Sequence, residues 1–292
     1  MDNERVNRPY RSYWLMLVPA LIGVLALEIL PAILTFGLAF TNYDALSQPE
    51  WVGLHNFVQL GQDRIFSIAL RNTLYFLGWA VPLRLLISLI TALLLENNTR
   101  GVALLRGANL APTMMPEAAY SLAWLWIVNP VYGPINHVLA ALGLPTSGWL
   151  ADPAVAANVF IMMALFQAGE SFLIILAALR GVPPSLHDAA QIDGANYWAR
   201  YRLVVLPITL PWLGAALLRD SVLLMFYTLA PTRLITGGDP SYATLFLPLY
   251  TFQQSIEYLR IGYGAASTLV IWLLALLPCL LSARWLWSRL DD

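Results

Sequence analysis

Glu170 lies near the middle of a long apolar stretch, with Gln167 just before it and Ser171 immediately after. Arg219 and Asp220 stand side by side in a second such stretch, and Arg84 in a third. If these stretches cross a bilayer, each ionisable group costs at least ~2.5–3.5 kcal/mol at mid-depth on insertion scales. Such groups persist where they line a polar path or hydrogen-bond between helices. Both readings stand for Gln167, Glu170 and Ser171. Arg219 and Asp220 either neutralise each other, face a partner subunit or touch a solute, and Arg84 is able to pair with any of the carboxylates. Glu28 and Glu117 sit nearer span ends or beside prolines, where water has access. Ion coupling in a stand-alone secondary carrier would use the same residue types, so these groups alone do not fix a mechanism.

Other chemistries are poorly supplied. All sixteen basic residues are Arg, so a phosphate-cradling loop ending in Gly-Lys-Ser/Thr is impossible, as is a Schiff-base lysine. His55, His137 and His187 are far apart, and no Gly-x-Ser-x-Gly or His-Glu-x-x-His pattern occurs. The lone Cys279 gives neither a disulfide framework nor a thiolate metal site. The net charge of −1 implies no bulk attraction to nucleic acid. No catalytic residue and no metal site are expected.

The elements that must carry the embedded charges follow from composition. Hydrophobic residues make up 59% and charged residues 11% of the 292, against about a quarter charged in a soluble domain. The deficit runs along the whole chain, which predicts an all-α, multi-pass membrane protein. A hydrocarbon core of ~30 Å needs about 20 mostly apolar residues per helix, and six runs qualify: about Trp14–Phe40, Thr73–Leu95, Leu110–Val128, Ala154–Leu179, Ile208–Ala230 and Ala265–Leu286. The first reads as a retained span, being too long for a signal core and lacking a small-residue cleavage site.

Ten arginines (Arg5, Arg8, Arg11, Arg100, Arg106, Arg180, Arg200, Arg202, Arg284 and Arg289) fall on one side of this six-span layout. Only Arg64, Arg71, Arg233 and Arg260 fall on the other. The arginine-rich side is the cytoplasmic one, so both termini and the loop Pro183–Pro211 are expected there. The Asn97-Asn98-Thr99 sequon is then internal and is discounted as a glycosylation site. The opposite loops, Trp51–Phe57, Val131–Asn136 and Ile235–Pro240, are aromatic and turn-rich. Trp51, Trp149 and Tyr242 suit the headgroup layer.

The loop Pro183–Pro211 is the longest polar break with structural signals. Two prolines open it, as at a helix start, and Ser185 with Asp188 approximates a capping box. Asp193-Gly194 reads as a stop. A second short helix is predicted from Ala195 to about Val205, closed by Pro207.

The segment DAAQIDGA (Asp188–Ala195) resembles the cytoplasmic signature of binding-protein-dependent ABC importer permeases. That pattern reads Glu-Ala-Ala, two variable residues, Asp-Gly-Ala, an aromatic-rich stretch and Leu-Pro. Ala189, Ala190, Asp193, Gly194, Ala195, Leu206 and Pro207 match it, while Asp188 replaces Glu and shortens the reach of the carboxylate. Trp51–Phe57, Arg71-Asn72-Thr73, Pro130–Asn136, Trp149–Asp152, Ile235–Pro240 and Gly262-Tyr263-Gly264 are similar to the carbohydrate subgroup, especially the first permease of maltose-type and glycerol-phosphate-type systems. Where that subgroup shows Thr-x-Gly-Gly-Pro, this chain has Thr236-Gly237-Gly238-Asp239-Pro240, without the spacer and with an added Asp.

The resemblance implies an N-terminal tail, first helix and outer loop over 1–71, and an importer transmembrane core over 72–292 with its coupling loop at 183–211. It implies that Asp188, Ala189, Ala190, Asp193, Gly194 and Ala195 form a coupling helix docking on a separate ATPase, which holds the ATP and Mg, this chain binding no cofactor. The expected partners are a second permease subunit in a heterodimer, two ATPase subunits, an extracytoplasmic solute-binding protein and a sugar-like solute. The expected location is the inner membrane of a bacterial or archaeal cell. Gln167, Glu170, Ser171, Arg219 and Asp220 are the candidates for the solute path, and this chain is not expected to be an enzyme.

Overall fold

A computed structural model of the chain describes residues 8–97 and 99–290. The expectations resting on Arg5, on Asn98 of the sequon and on the side chains of Arg8, Arg11, Arg284 and Arg289 lie outside what is described. Among the described residues the secondary structure is helical, with one isolated antiparallel bridge, Thr41 to Trp51. In chain order the α-helices are α1 (Arg8–Val24), α2 (Leu30–Leu38), α3 (His55–Gln62), α4 (Arg64–Leu94), α5 (Val102–Leu110), α6 (Glu117–Ile127), α7 (Pro134–Ala141), α8 (Ala156–Phe166), α9 (Gly169–Arg180), α10 (Pro184–Ile192), α11 (Tyr197–Arg200), α12 (Leu206–Tyr227), α13 (Leu229–Ile235), α14 (Leu247–Phe252) and α15 (Ile261–Leu290).

Two prolines, Pro31 and Pro207, are absorbed by wider turns. A π-helical stretch, Leu25–Ile29, joins α1 to α2 just before Pro31, and another, Tyr201–Val205, joins α11 to α12 just before Pro207. In the second, the Leu206 N–H donates to the Tyr201 carbonyl, five residues back. The extra residue per turn relieves the clash that a proline ring makes with the carbonyl four residues earlier. The expected stop at Pro207 is therefore corrected: the run continues from Tyr197 to Ile235. The Ser185 cap is corrected too. Pro183 occupies the N-cap of α10, with no side-chain hydrogen bond there.

The span pattern also differs from six unbroken helices. Four helical runs are long and apolar enough to cross a membrane, Met16–Leu38, Arg64–Leu94, Tyr197–Ile235 and Ile261–Leu280. The pair α8 and α9 makes a fifth if counted as one span bent by 41°. The run expected over Leu110–Val128 is not one helix. It passes through a 3-10 turn, Ala111–Met114, an extended Met115 and an N-cap at Pro116 before α6 begins. The 11 residues of α6 rise only about 16 Å, half a hydrocarbon core.

The chain divides into two compact units, one of residues 1–62 with 251–270 and one of 63–250 with 271–292. In the first, the Asn56 side-chain amide donates to the carbonyls of Ala39 (2.9 Å) and Thr41 (2.8 Å), fixing the turn after α2. The Gly262 N–H donates to the Tyr43 carbonyl at 2.9 Å. A Cβ at Gly262 would collide with the Thr41 carbonyl oxygen, so only glycine permits this approach. Trp51 is exposed and stacked on Phe40, 5.4 Å between centroids.

In the second unit α4 packs against α8, α9 and α12. One apolar cluster gathers Phe76, Trp124, Phe160, Met163, Leu224 and Phe246; another gathers Ala92, Phe172, Ile175, Leu179, Tyr201 and Val205. Asn136 organises the turn before α7: its amide donates to the carbonyls of Pro130 and Ser147, both at 2.9 Å, and its oxygen accepts the Trp149 indole N–H at 2.7 Å. Trp149 thus spends its indole N–H on Asn136 within the protein.

Candidate functional site

Asp220 is fully buried on α12, and three side chains converge on its carboxylate. The Ser171 hydroxyl, on α9, lies 2.7 Å from both oxygens and donates its one proton between them. Arg84, on α4, brings Nε to 3.4 Å, and the two side chains are 7% and 0% exposed. That nitrogen finds no hydrogen-bond partner, so the contact is ionic. Arg84 Nη1 also reaches the Ala164 carbonyl at 3.4 Å. Arg219 completes the set, with Nη1 at 3.4 Å from Asp220. A carboxylate removed from water needs this much compensation, since an unpaired buried charge is prohibitively costly.

Arg219 also faces outward, where its Nη2 pairs with Glu170 in the first turn of α9. A carboxylate there also complements the positive end of the helix dipole. Within the chain Arg84 thus pairs with Asp220, and Arg219 bridges a buried and a half-exposed carboxylate.

This cluster forms one wall of a cleft of about 440 Å³, whose lining includes Arg84, Thr113, Glu117, Gln167, Glu170, Arg219, Phe226 and Tyr227. Of the expected solute-path residues, Gln167, Glu170 and Arg219 face the cleft, while Ser171 and Asp220 lie behind them. Glu117 stands at the first turn of α6, after the Pro116 break. Tyr227 was not foreseen, yet a signal existed: Asp220, Leu224 and Tyr227 share one face at helical spacing. Its hydroxyl is buried and meets no protein partner.

Gln167 and Glu170, on either side of the bend between α8 and α9, line the cleft, and the bend is closely packed. A Cβ at Gly169 would meet the Asn109 carbonyl oxygen at 2.8 Å and Leu110 Cα at 3.1 Å. Glycine lets residues 109–113 press against the bend, where the Gln167 amide donates to the Pro112 carbonyl at 3.1 Å.

The second candidate region is the loop 181–205. Helix α10 ends in a Schellman arrangement: the Ala195 N–H donates to the Ala190 carbonyl (2.9 Å) and the Gly194 N–H to the Gln191 carbonyl (3.0 Å). Gly194 takes φ +79°, the left-handed conformation glycine adopts without steric cost. Asn196 then caps α11, accepting the Ala199 N–H at 2.8 Å. Asp188, Ala189, Asp193 and Gly194 are exposed, Ala195 is half-buried and Ala190 is buried. Ile192 and Trp198 project large apolar side chains, 86% and 78% exposed.

An all-helical membrane protein with an embedded charge cluster behind a cleft, and a capped exposed helix on one loop, has the layout of a transport permease. The family described as "Binding-protein-dependent transport system inner membrane component" matches residues 72–291, and this chain belongs to it. Among relatives, the probable ABC transporter permease protein YesP of Bacillus subtilis is 32% identical over 259 residues, covering 87% of this chain and 83% of that one. The trehalose/maltose transport system permease protein MalF of Thermococcus litoralis is 31% identical over 280 residues, 93% and 92% of the two chains. The sulfoquinovosyl glycerol transport system permease protein SmoG of Agrobacterium fabrum is 28% identical, covering 94% and 93%. The fold matches a bacterial alginate ABC transporter solved in complex with its alginate-bound periplasmic protein, at TM-score 0.79 and 21% identity over 96% of each chain. Membership makes the chain a multi-pass permease subunit rather than an enzyme or a stand-alone carrier, with ATP hydrolysis on a separate subunit.

Proposed function

We propose that this chain is a permease subunit of an ATP-driven importer for a carbohydrate or carbohydrate derivative, forming half of the translocation path. The observation that carries the reading is a continuity. The exposed, sharply capped α10 leads within a few residues into the helical run Tyr197–Ile235, which holds Arg219 and Tyr227 against the cleft and Asp220 behind them. The substrate class is supported by relatives named for trehalose/maltose and sulfoquinovosyl glycerol transport.

In this reading Asp188, Ala189, Ala190, Asp193, Gly194 and Ala195 are the docking element for an ATPase pair carrying ATP and Mg. Small residues permit close approach, and the two aspartates accept hydrogen bonds or pair with arginines. Residues 1–71 carry the tail, first helix and outer loop, and 72–292 the core. The bent pair α8–α9 and the interrupted segment α5–α6 each make one crossing, giving six with both termini in the cytoplasm. A second permease completes a heterodimer in the cell inner membrane, and an extracytoplasmic binding protein delivers the solute to a path lined by Gln167, Glu170 and Arg219, with Ser171 and Asp220 behind.

The test is reconstitution in lipid vesicles with the second permease, the ATPase and the binding protein. Maltose, trehalose or sulfoquinovosyl glycerol on the binding protein is expected to stimulate ATP hydrolysis. Failure of the ATPase to co-purify with the chain would refute the permease–ATPase pairing. Stimulation by none of a broad sugar panel would refute the carbohydrate assignment.

A further inference from the structure

The C-terminal end of α4 is gripped by three side chains from three other segments. Arg106, on α5, donates to the carbonyls of Leu95 (2.9 and 2.6 Å), Glu96 (3.2 Å) and Asn97 (2.9 Å). Arg180, at the end of α9, donates to the Glu96 carbonyl at 3.2 and 2.9 Å. These contacts need no special role: Leu95 is the C-cap of α4, Glu96 and Asn97 follow it, and carbonyls at and just past a helix C-terminus lack helical partners and attract cations.

Tyr201 is different. Its hydroxyl donates to the Glu96 side chain, Oε2, at 2.5 Å, and so caps no backbone group. A carboxylate at a helix C-terminus opposes the dipole, so capping does not account for Glu96 either. Tyr201 opens the π-helical stretch Tyr201–Val205, and the extra residue in that turn sets the direction of its side chain relative to α12. The ring packs in the cluster containing Ala92, Leu179 and Val205.

Glu96 follows the end of α4, the helix that bears Arg84, by two residues, and the run bearing Tyr201 also bears Asp220. The two rods are therefore joined twice, by Glu96–Tyr201 near the loop and by Arg84–Asp220 beside the cleft. We propose that the Tyr201–Glu96 hydrogen bond is a positioning joint, making α4 follow displacement of the docking helix so that α4 and α12 move as one body. The proposal rests on the reading of α10 as the docking element.

The test uses the assembled complex with Cys279 replaced by Ser and spin labels on two exposed positions, Leu94→Cys on α4 and Leu203→Cys beside Tyr201. Pulsed electron resonance measures the distance between them, nucleotide-free and after trapping with Mg-ATP and orthovanadate. With Tyr201 present the distance is expected to stay the same in both states. In Tyr201→Phe, which keeps the ring in its cluster, it is expected to change on trapping, and ATP hydrolysed per sugar imported is expected to rise about tenfold, the order of one lost charge-assisted hydrogen bond. Arg106→Ala, which removes the bonds to the carbonyls after α4 and leaves Tyr201–Glu96 in place, is expected to lower thermal stability without changing the distance or the ratio. A distance in Tyr201→Phe that behaves as in the parent would overturn the joint, as would an equal response in Arg106→Ala. Loss of ATPase co-purification from the parent would instead sink the docking reading.

Discussion

Ser171 and Asp220 meet at 2.7 Å inside the protein, a hydroxyl from α9 donating to a carboxylate on α12 that has no exposed surface. With Arg84 and Arg219 they turn three helices into one electrostatic unit, and the cleft sits on its outer side.

Removing the centre of that unit is predicted to be severe. Asp220→Ala strands the buried Arg84 guanidinium, a loss of about 3–5 kcal/mol. The apparent melting temperature of the purified chain in detergent is expected to fall sharply. Arg84→Met combined with Asp220→Ala is expected to recover much of it, because no buried charge is then left alone. A double variant as unstable as Asp220→Ala would show that the pair is not what the fold depends on.

Glu170 behaves differently, since its side chain is half exposed. Glu170→Gln is expected to cost under about 1 kcal/mol in stability. It leaves the outer side of Arg219 without its carboxylate, and sugar import by the reconstituted complex is expected to drop about tenfold, the order of one charged contact. Import and apparent affinity both unchanged in Glu170→Ala would remove this residue from the solute path.

Gly194 tests the loop by conformation rather than contact. An alanine at φ +79° costs about 1–2 kcal/mol, and Asn tolerates that region better. Stimulated ATP hydrolysis is expected to decline in the order Gly, Asn, Ala, Pro. Full stimulation in Gly194→Pro would show that α10 is not the docking element.

Gly262→Ala is a separate prediction within the first unit. The added methyl overlaps the Thr41 carbonyl oxygen, and backbone displacement of this kind costs about 1–3 kcal/mol. Faster amide exchange at Gly262, whose N–H is bonded to Tyr43, is the expected signature.

The loop at Asp44 gives a pH dependence with a fixed sign. Ser47, through its N–H and its hydroxyl, and then the Leu46 N–H hold the Asp44 carboxyl below its ordinary value of 3.8. The charged form is favoured by the fold, so the stabilisation is complete above 3.8 and fades as pH falls through the lower folded value. Exchange of the Leu46 and Ser47 amides is expected to accelerate only in that acidic window.

What the sequence determined by itself was local or compositional. The charge deficit dictates membrane-spanning helices, the absence of Lys excludes a nucleotide-hydrolase loop, and Gly194 ends α10 because its own backbone conformation does so. The signature Asp188–Ala195 carries the resemblance to the permease family within a single short window. Tertiary structure decided whatever depends on residues remote in the chain. Gly169 marks a weak point in the fourth apolar run, but that residues 109–113 pack against the backbone there is visible only in the tertiary structure. Arg84 had several possible carboxylate partners, and only packing of α4 against α12 selected Asp220. Pro207 reads as a stop because a straight α-helix cannot accommodate it, and a π-turn just before it removes that objection. Backbone conformation and transfer energy are properties of single residues and short windows. The partner of a buried charge is settled only when the helices carrying both groups have packed.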